Sequence, residues 1–449
     1  MSRLATIIRR ILRAERTTGA GIIVGEPGSL RISGRSERVL IAGNAIPQAG
    51  ARVAWARVDG NTLLVPYSRR GQPTFLPGAR ASFRWEQVLV NSYAFNTRIS
   101  LAHRDSLGGH WICGRRFLPD EDYWFYRAAD QFTTANWSVL VGIALDPGVG
   151  LAYAGHGDLV MQTAYSYSTP PGTLGMVVWQ TDIDPVAATL AHSAAHVLPG
   201  AYLTGGIWGS SIVRDSDGYW HVAINWDEQP IPPNPPGSYQ RREIIWRSDA
   251  PDSADAWTQT LDATHTSAST FEGMPILARC GENLVLLWSS DTINLQYRVY
   301  GGAWGDLQDA GFRAVSISAR AIGDEFYMAF TASDGSAQWR SGRIEGGSIV
   351  WTGSGLLITE AAGHSSHAVQ SNFGPESDSV GIWAHAYDSQ DLYYIGLPEE
   401  EIVPSVVQPL GYSLEFYHLA AADGIAGQDG FAAFVEGNRY IYAARVVAE

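Results

Sequence analysis

The chain opens on a helical pattern and then abandons it. In residues 2–16, SRLATIIRRILRAER, the apolar Leu4, Ile7, Ile8, Ile11 and Leu12 recur at three- and four-residue steps, with Arg3, Arg9, Arg10, Arg13 and Arg16 between them. That spacing predicts an amphipathic helix. From Ala20 the period falls to two. GIIVGE, SLRIS, ERVLIAG, ARVAWARVD and TLLVPYS are short apolar runs separated by Gly, Pro or Asp-Gly, which predicts strands. Asp59-Gly60-Asn61 is a hairpin turn between the last two.

Beyond Gln72-Pro73 and Leu76-Pro77-Gly78, which read as a linker, one local pattern recurs. A turn carrying Gly, Asp or Glu is followed by an apolar strand, a polar turn and a second strand. The clear copies are Asp217-Gly-Tyr-Trp-His-Val-Ala-Ile, Glu282-Asn-Leu-Val-Leu-Leu-Trp288, Asp324-Glu-Phe-Tyr-Met-Ala-Phe330, Asp378-Ser-Val-Gly-Ile-Trp383 and Asp429-Gly-Phe-Ala-Ala-Phe434. Gly109-His-Trp-Ile-Cys113 and Gly157-Asp158-Leu-Val-Met fit less well. The second turns keep step at Asp291, Asp334, Asp388 and Gly437. Turns near 109, 158, 217, 282, 324, 378 and 429 are about 53 residues apart on average, close to the ~40–50 residues of propeller blades. Pro230-Ile-Pro-Pro-Asn-Pro-Pro236-Gly is an insertion that lengthens one repeat. A β-helix needs shorter rungs, and a sandwich has no reason to repeat a hairpin at this interval.

The expectation is therefore an all-β chain. An amphipathic attachment helix (1–18) precedes a small OB-like barrel (19–70), a linker (71–84) and a β-propeller (85–449) of seven blades, with six the next count.

Charge divides the chain in the same place. Residues 1–80 hold 13 arginines against four acids, a net of +9, and residues 81–449 hold 18 against 41, a net of −23. Such asymmetry suggests different partners for the two parts. The acidic body argues against nucleic acid as a ligand, since phosphate would be repelled. All 31 basic residues are arginine. The two cysteines, Cys113 and Cys280, form no CxxC, which excludes a disulfide scaffold and a cysteine-based zinc site. No apolar run is long enough to span a membrane. Arginines interrupt the N-terminal apolar stretch and no small-residue cleavage site follows, so it does not read as a signal peptide.

The stretch from Val39-Leu-Ile-Ala-Gly through Ile46-Pro47, Gly50 and Val53-Ala-Trp-Ala-Arg-Val58-Asp-Gly to Val65 resembles small barrel modules of tailed-phage tail and baseplate proteins, over about 50 residues. The resemblance implies a virion protein made in the host cytoplasm. Its partners would be other virion or tail proteins through residues 1–70, and a host surface glycan or protein through the propeller. Self-association into a homo-oligomer goes with it. The oligonucleotide-binding use of such barrels needs an aromatic platform, and Trp55 is the only tryptophan in the first 80 residues.

Candidate chemistry lies in the body. Asp215-Ser-Asp217-Gly218-Tyr-Trp-His221-Val-Ala resembles a turn of carbohydrate-active propellers of the sialidase-like repeat type and of some seven-bladed polysaccharide lyases. The resemblance implies His221 on an inner strand near the central channel, where a neutral imidazole could take the proton beside a uronate carboxylate. The alternative is a hairpin turn followed by a packed histidine. His364 is a second catalytic candidate. With His367 it forms an i, i+3 pair whose side chains point to opposite faces of a strand, so no metal site is expected there. With no GxGxxG in a βαβ context, P-loop, HExxH or GxSxG in the sequence, no cofactor is expected. Sialidase Asp boxes are not reproduced at Ser253-Ala-Asp255-Ala-Trp257 or Ser333-Asp334-Gly335. Acid pairs at Asp120/Asp122, Asp182/Asp184, Asp227/Glu228 and Asp249/Asp252/Asp255 read as solvated turns, with carboxylate-pair hydrolysis the alternative. Most tryptophans should fill the spaces between blades. Trp226, taken to lie in a polar loop beside Asp227 and Glu228, is the candidate for stacking on a sugar, with Arg241 and Arg242 nearby as ligand contacts. The first reading is thus a binding protein rather than an enzyme. A propeller lyase or glycosidase and a protein-interaction scaffold are the alternatives.

Overall fold

The computed structural model describes the strands of residues 18–66, and residues 83–448 apart from 92–96, 118–119, 136, 145–149, 167–174, 201–206, 229–238, 268–271, 291–293, 323–324, 359–364, 372–379, 387–391, 398–400, 405–418, 425–429 and 437–439. The chain divides into two compact units, Met1–Arg84 with Ala448–Glu449, and Trp85–Val447. The expected helix over 1–18 and most of the linker lie outside the described residues.

In the first unit, Arg52–Val58 and Asn61–Pro66 pair antiparallel with Val58 opposite Asn61, the hairpin that Asp59-Gly60 predicts. Thr18–Ile22 adds antiparallel to one side and Val39–Ile41 adds parallel to the other. Arg31–Ile32 and Arg35–Ser36 form a separate two-stranded ladder. The described pairings are thus an open four-stranded order, and they do not include the closure that an OB-like barrel needs.

Among the described residues the second unit is a closed ring of seven antiparallel sheets, a β-propeller. The inner strands are Thr97–Arg104, Gly150–His156, Ile207–Arg214, Glu272–Cys280, Val315–Ile322, Ser365–Ser371 and Leu419–Ala422, which define blades 1 to 7. Each inner strand packs beside the next, and the seventh returns to the first. The second strands are His110–Phe117, Leu159–Ser166, Trp220–Glu228, Asn283–Ser290, Glu325–Thr331, Val380–Ala386 and Phe431–Glu436. Among the described residues, the turns of the sequence repeat near 109, 158, 217 and 282, including the two that fit less well, each join a first strand to a second. Four antiparallel strands bring the chain back to the end where the blade began. All inner strands therefore run the same way, and the described first-to-second turns lie at one end of the channel. Among the described residues the body has one helical segment, the 3-10 turn Ala129–Gln131.

The pattern follows from burial. Second strands are covered on both faces by neighbouring blades, so Leu284, Val285, Leu286 and Leu287 are all buried in a row. Trp111, Trp124, Trp220, Trp246 and Trp383 are fully buried, the role expected for most of the tryptophans.

The ring closes with a strand from the start of the body. Phe83–Asn91 is the outermost strand of blade 7, beside Tyr440–Ala448. The strand begins two residues before the expected propeller boundary. Arg445 binds Glu86 across the two strands (Nε to carboxylate 2.7 Å) and lays its guanidinium over Phe132 at 4.6 Å. The Trp137 amide donates to the Val90 carbonyl. Behind this clasp, Val88, Val90, Ile112, Phe132, Trp137, Phe431 and Ile441 form one core between blades 7 and 1. His110 is sealed into it, with ring centroids 5.0 Å from Phe132 and 5.2 Å from Phe431.

Candidate functional site

Asp215 follows the inner strand of blade 3 and organises the turn there. Its Oδ1 accepts from the amides of Asp217 (3.0 Å) and Tyr219 (2.8 Å). The Gly218 amide donates to the Asp215 carbonyl, and Gly218 takes φ +92°, which explains glycine there. The free Oδ2 accepts from Nε2 of His221 at 3.0 Å. An ionised carboxylate can only accept, so the imidazole proton sits on Nε2. Arg247 stacks on the Tyr219 ring at 3.5 Å, with Nε 3.9 Å from the same Oδ2.

Burial pushes the His221 imidazole below its ordinary value, against the upward pull of Asp215. For Asp215, burial raises the carboxyl, but the bonds from His221, Tyr219 and Asp217 outweigh it and hold it low. The pair is therefore a neutral imidazole on a carboxylate. Geometry nevertheless removes it from catalysis. His221 lies on the second strand of blade 3, not an inner strand, because the Asp215–Gly218 turn follows the inner strand instead of preceding it. The side chain is fully buried and meets the edge of Tyr300 of blade 4 at 5.3 Å.

Blade 1 repeats the arrangement with a residue that cannot do acid–base chemistry. Arg104-Asp105-Ser106-Leu107-Gly108 matches Arg214-Asp215-Ser216-Asp217-Gly218. Asp105 Oδ1 accepts from the Leu107 and Gly109 amides, and Oδ2 accepts from the indole Nε1 of Trp111 at 2.7 Å. Indole and imidazole perform one task, filling the last acceptor of a buried aspartate. The repeated Arg-Asp-Ser-x-Gly was the signal in the sequence for this role.

The proposed ligand contacts come together, though not as a loop. Trp226, Asp227 and Glu228 continue the second strand of blade 3, and face Arg242, Arg241 and Gln240 in register on the third strand, Tyr239–Ser248. The correction for Trp226 has a simple cause: the ladder to the third strand runs on from His221 to Glu228, so the polar Asp227 and Glu228 end a strand instead of opening a loop. This strand end lies away from the first-to-second turns, next to the proline-rich insertion in the sequence. The Arg242 guanidinium is committed to Asp262 of the fourth strand, bidentate at 2.6 and 2.5 Å, and that bond lowers the Asp262 carboxyl. His364 lies outside the described residues. His367 sits on the inner strand of blade 6, opposite Ala384.

The acid pairs also separate. Asp122 is buried in a strand and accepts from the Tyr153 hydroxyl of blade 2 at 3.0 Å, so it is no solvated turn. Asp252 pairs with Arg214 and Asp249 accepts from Thr258. Among the described residues no group of three or more metal-ligating side chains converges.

Sequence reasoning missed the basic side chains gathered at the turn end of the channel. His156 and Arg214 are the last residues of the inner strands of blades 2 and 3, and Arg279 is next to last in blade 4. Arg320 of blade 5 reaches past blade 6 to pair with Asp423 after the inner strand of blade 7. His103 of blade 1 donates to the Gly157 carbonyl at 2.7 Å.

No protein-family model matches the chain, and no curated protein matches it. Among solved structures, the chain is similar to AofleA of Arthrobotrys oligospora at 12% identity and TM-score 0.44, covering 76% of this chain and 92% of that one. It is also similar to the α-L-arabinanase of Penicillium chrysogenum complexed with arabinobiose, at 11% identity and TM-score 0.43, covering 80% and 97%. A third likeness is to Raptor of Chaetomium thermophilum, at 12% identity and TM-score 0.46, covering 82% of this chain and 29% of that one.

Proposed function

We propose that the chain is an attachment protein of a tailed-phage virion. Its arginine-rich N-terminal unit binds acidic partners on the particle, and its propeller offers a rigid face to a host surface glycan or protein. One observation carries the reading. The boundary between the two compact units at Arg84 falls within a few residues of the point where net charge changes from +9 to −23. Two bodies of opposite charge suit two different partners. The resemblance of residues 39–65 to tail and baseplate modules gives the N-terminal unit its setting.

A binding role is favoured over turnover because the histidine that motivated a lyase is sealed between blades. The strand end at Trp226–Glu228, opposite Gln240–Arg242, is the ligand contact proposed for the propeller. The test is to locate the protein by immunogold imaging on purified particles, and to repeat this with residues 1–16 deleted. The reading expects labelled tails, with label and self-association lost on deletion while the circular dichroism of the body is kept. Unlabelled particles overturn it.

A further inference from the structure

The body carries a strong net negative charge, yet one end of its channel gathers basic side chains from three successive blades. The inner strands of blades 2, 3 and 4 lie side by side and end together. They bring His156, Arg214 and Arg279 to one stretch of the rim, although 123 residues of sequence separate the first from the last. Their proximity shows in the titration of His156. Partial burial of the ring lowers its imidazole although its edge is open to solvent, Arg214 and Arg279 lower it further, and Asp252 pulls the other way. His156 and Arg279 are both exposed.

The carboxylates at this rim are already engaged or stand apart. Asp252 holds Nε and Nη2 of Arg214, leaving Nη1 of that guanidinium outside the pair. Asp158 accepts from the amide and hydroxyl of Ser106 at 2.8 and 2.6 Å. Asp423 holds Arg320 on the other side of the channel. Asp217 and Glu282, at the turn tips, pair with none of the three. Among the described residues, the Arg279 guanidinium makes no hydrogen bond and no ion pair. An exposed arginine beside a second arginine, with no acid of its own in so acidic a body, is a cation left for something outside the chain.

We propose that this rim binds a small oxyanion, a carboxylate, sulfate or phosphate group, between His156, Arg214 and Arg279. Arg279 supplies the free guanidinium fork. Arg214, oriented by Asp252, adds one further donor. His156 adds a ring N–H and becomes a cation when the anion arrives. The site is at the opposite end of the channel from Trp226–Glu228, so it is independent of the attachment role and stands or falls separately.

The experiment uses the full chain and inorganic sulfate, phosphate and acetate at constant ionic strength, with chloride as the balancing ion. Binding is followed by calorimetry and by the imidazole NMR signal of His156. The site expects saturable one-to-one binding, with the His156 midpoint moving upward as the anion fills. Arg279→Gln should weaken binding about tenfold or more, and His156→Gln should weaken it independently. Arg343→Gln, at an exposed site on the third strand of blade 5, should leave it unchanged. The three anions then rank the ligand class. Unsaturable heat, an unmoved His156 midpoint, or equal losses in the Arg279 and Arg343 variants would overturn the proposal.

Discussion

Trp111 and His221 hold the same place in two different blades. Each gives a ring N–H to the second oxygen of the aspartate six residues earlier, at 2.7 and 3.0 Å. What varies between blades is the ring, and what stays is the aspartate whose first oxygen caps the turn. The aspartate is therefore the more costly residue to lose. Asp215→Ala leaves the His221 N–H buried without an acceptor and frees two turn amides. It should destabilise the protein by about 2–4 kcal/mol, at ~1–3 kcal/mol for each stranded buried group. Urea denaturation measures this directly. A loss below about 0.5 kcal/mol would show that the turn holds without its cap.

His110 makes the fold sensitive to acid well above the carboxylate range. Burial, then the nearby Arg104, pushes its imidazole down to about 3. In the unfolded chain the ordinary value is 6.5. Because the folded value is the lower one, the stabilising difference is complete above pH 6.5 and is lost as pH falls toward 3. At pH 5 the loss from this one group is about 2 kcal/mol, from ~1.36 kcal/mol per pH unit. Burial lowers His103 and His221 as well, so they act with the same sign. His110→Phe should flatten the fall in stability between pH 6.5 and 4.5, measured as denaturation midpoints across that range. An unchanged slope would place the acid sensitivity elsewhere.

The clasp at Arg445 and Glu86 joins strands 359 residues apart in sequence, so it closes the whole ring. Arg445→Met removes the ion pair and the cation over Phe132 together. The pair is only partly screened, with side-chain exposures of 22% and 10%. A loss of about 2 kcal/mol is expected, between the values of surface and buried pairs. Hydrogen exchange should quicken first in Phe83–Asn91 and Tyr440–Ala448. Exchange that quickens evenly through all seven blades would show that the clasp is not a separate element.

The seven-blade count was legible because each first-to-second turn is local and most second strands carry an apolar run. Inner strands were harder to see. Val315–Ile322 is half-buried along most of its length, whereas Glu325–Thr331 is mostly buried. The apolar signal therefore marked second strands, and His221 was assigned one strand too far inward. The closing strand Phe83–Asn91 was illegible for another reason. Its partner lies at the far end of the chain, and periodicity carries no information about pairing at that range. The cationic rim was invisible because a ring brings together strand ends whose spacing in sequence means nothing by itself.

Gly155 and His103 show how closely neighbouring blades meet at that rim. A Cβ at Gly155 would fall 2.3 Å from Nδ1 of His103, well inside any real contact. The ring has little room to retreat, because Nε2 is bonded to the Gly157 carbonyl and the side chain is buried. Gly155→Ala should therefore break that bond or part the two inner strands, at about 2–3 kcal/mol, the usual scale for overpacking. Removing the obstacle tests the cause. In His103→Ala the bond is already lost and the space is open, so adding Gly155→Ala should cost less than about 1 kcal/mol more. The double-mutant cycle would then show a coupling of about 1–2 kcal/mol between residues on adjacent blades. Additive costs would mean that Gly155 is required by its own backbone and not by the ring pressed against it.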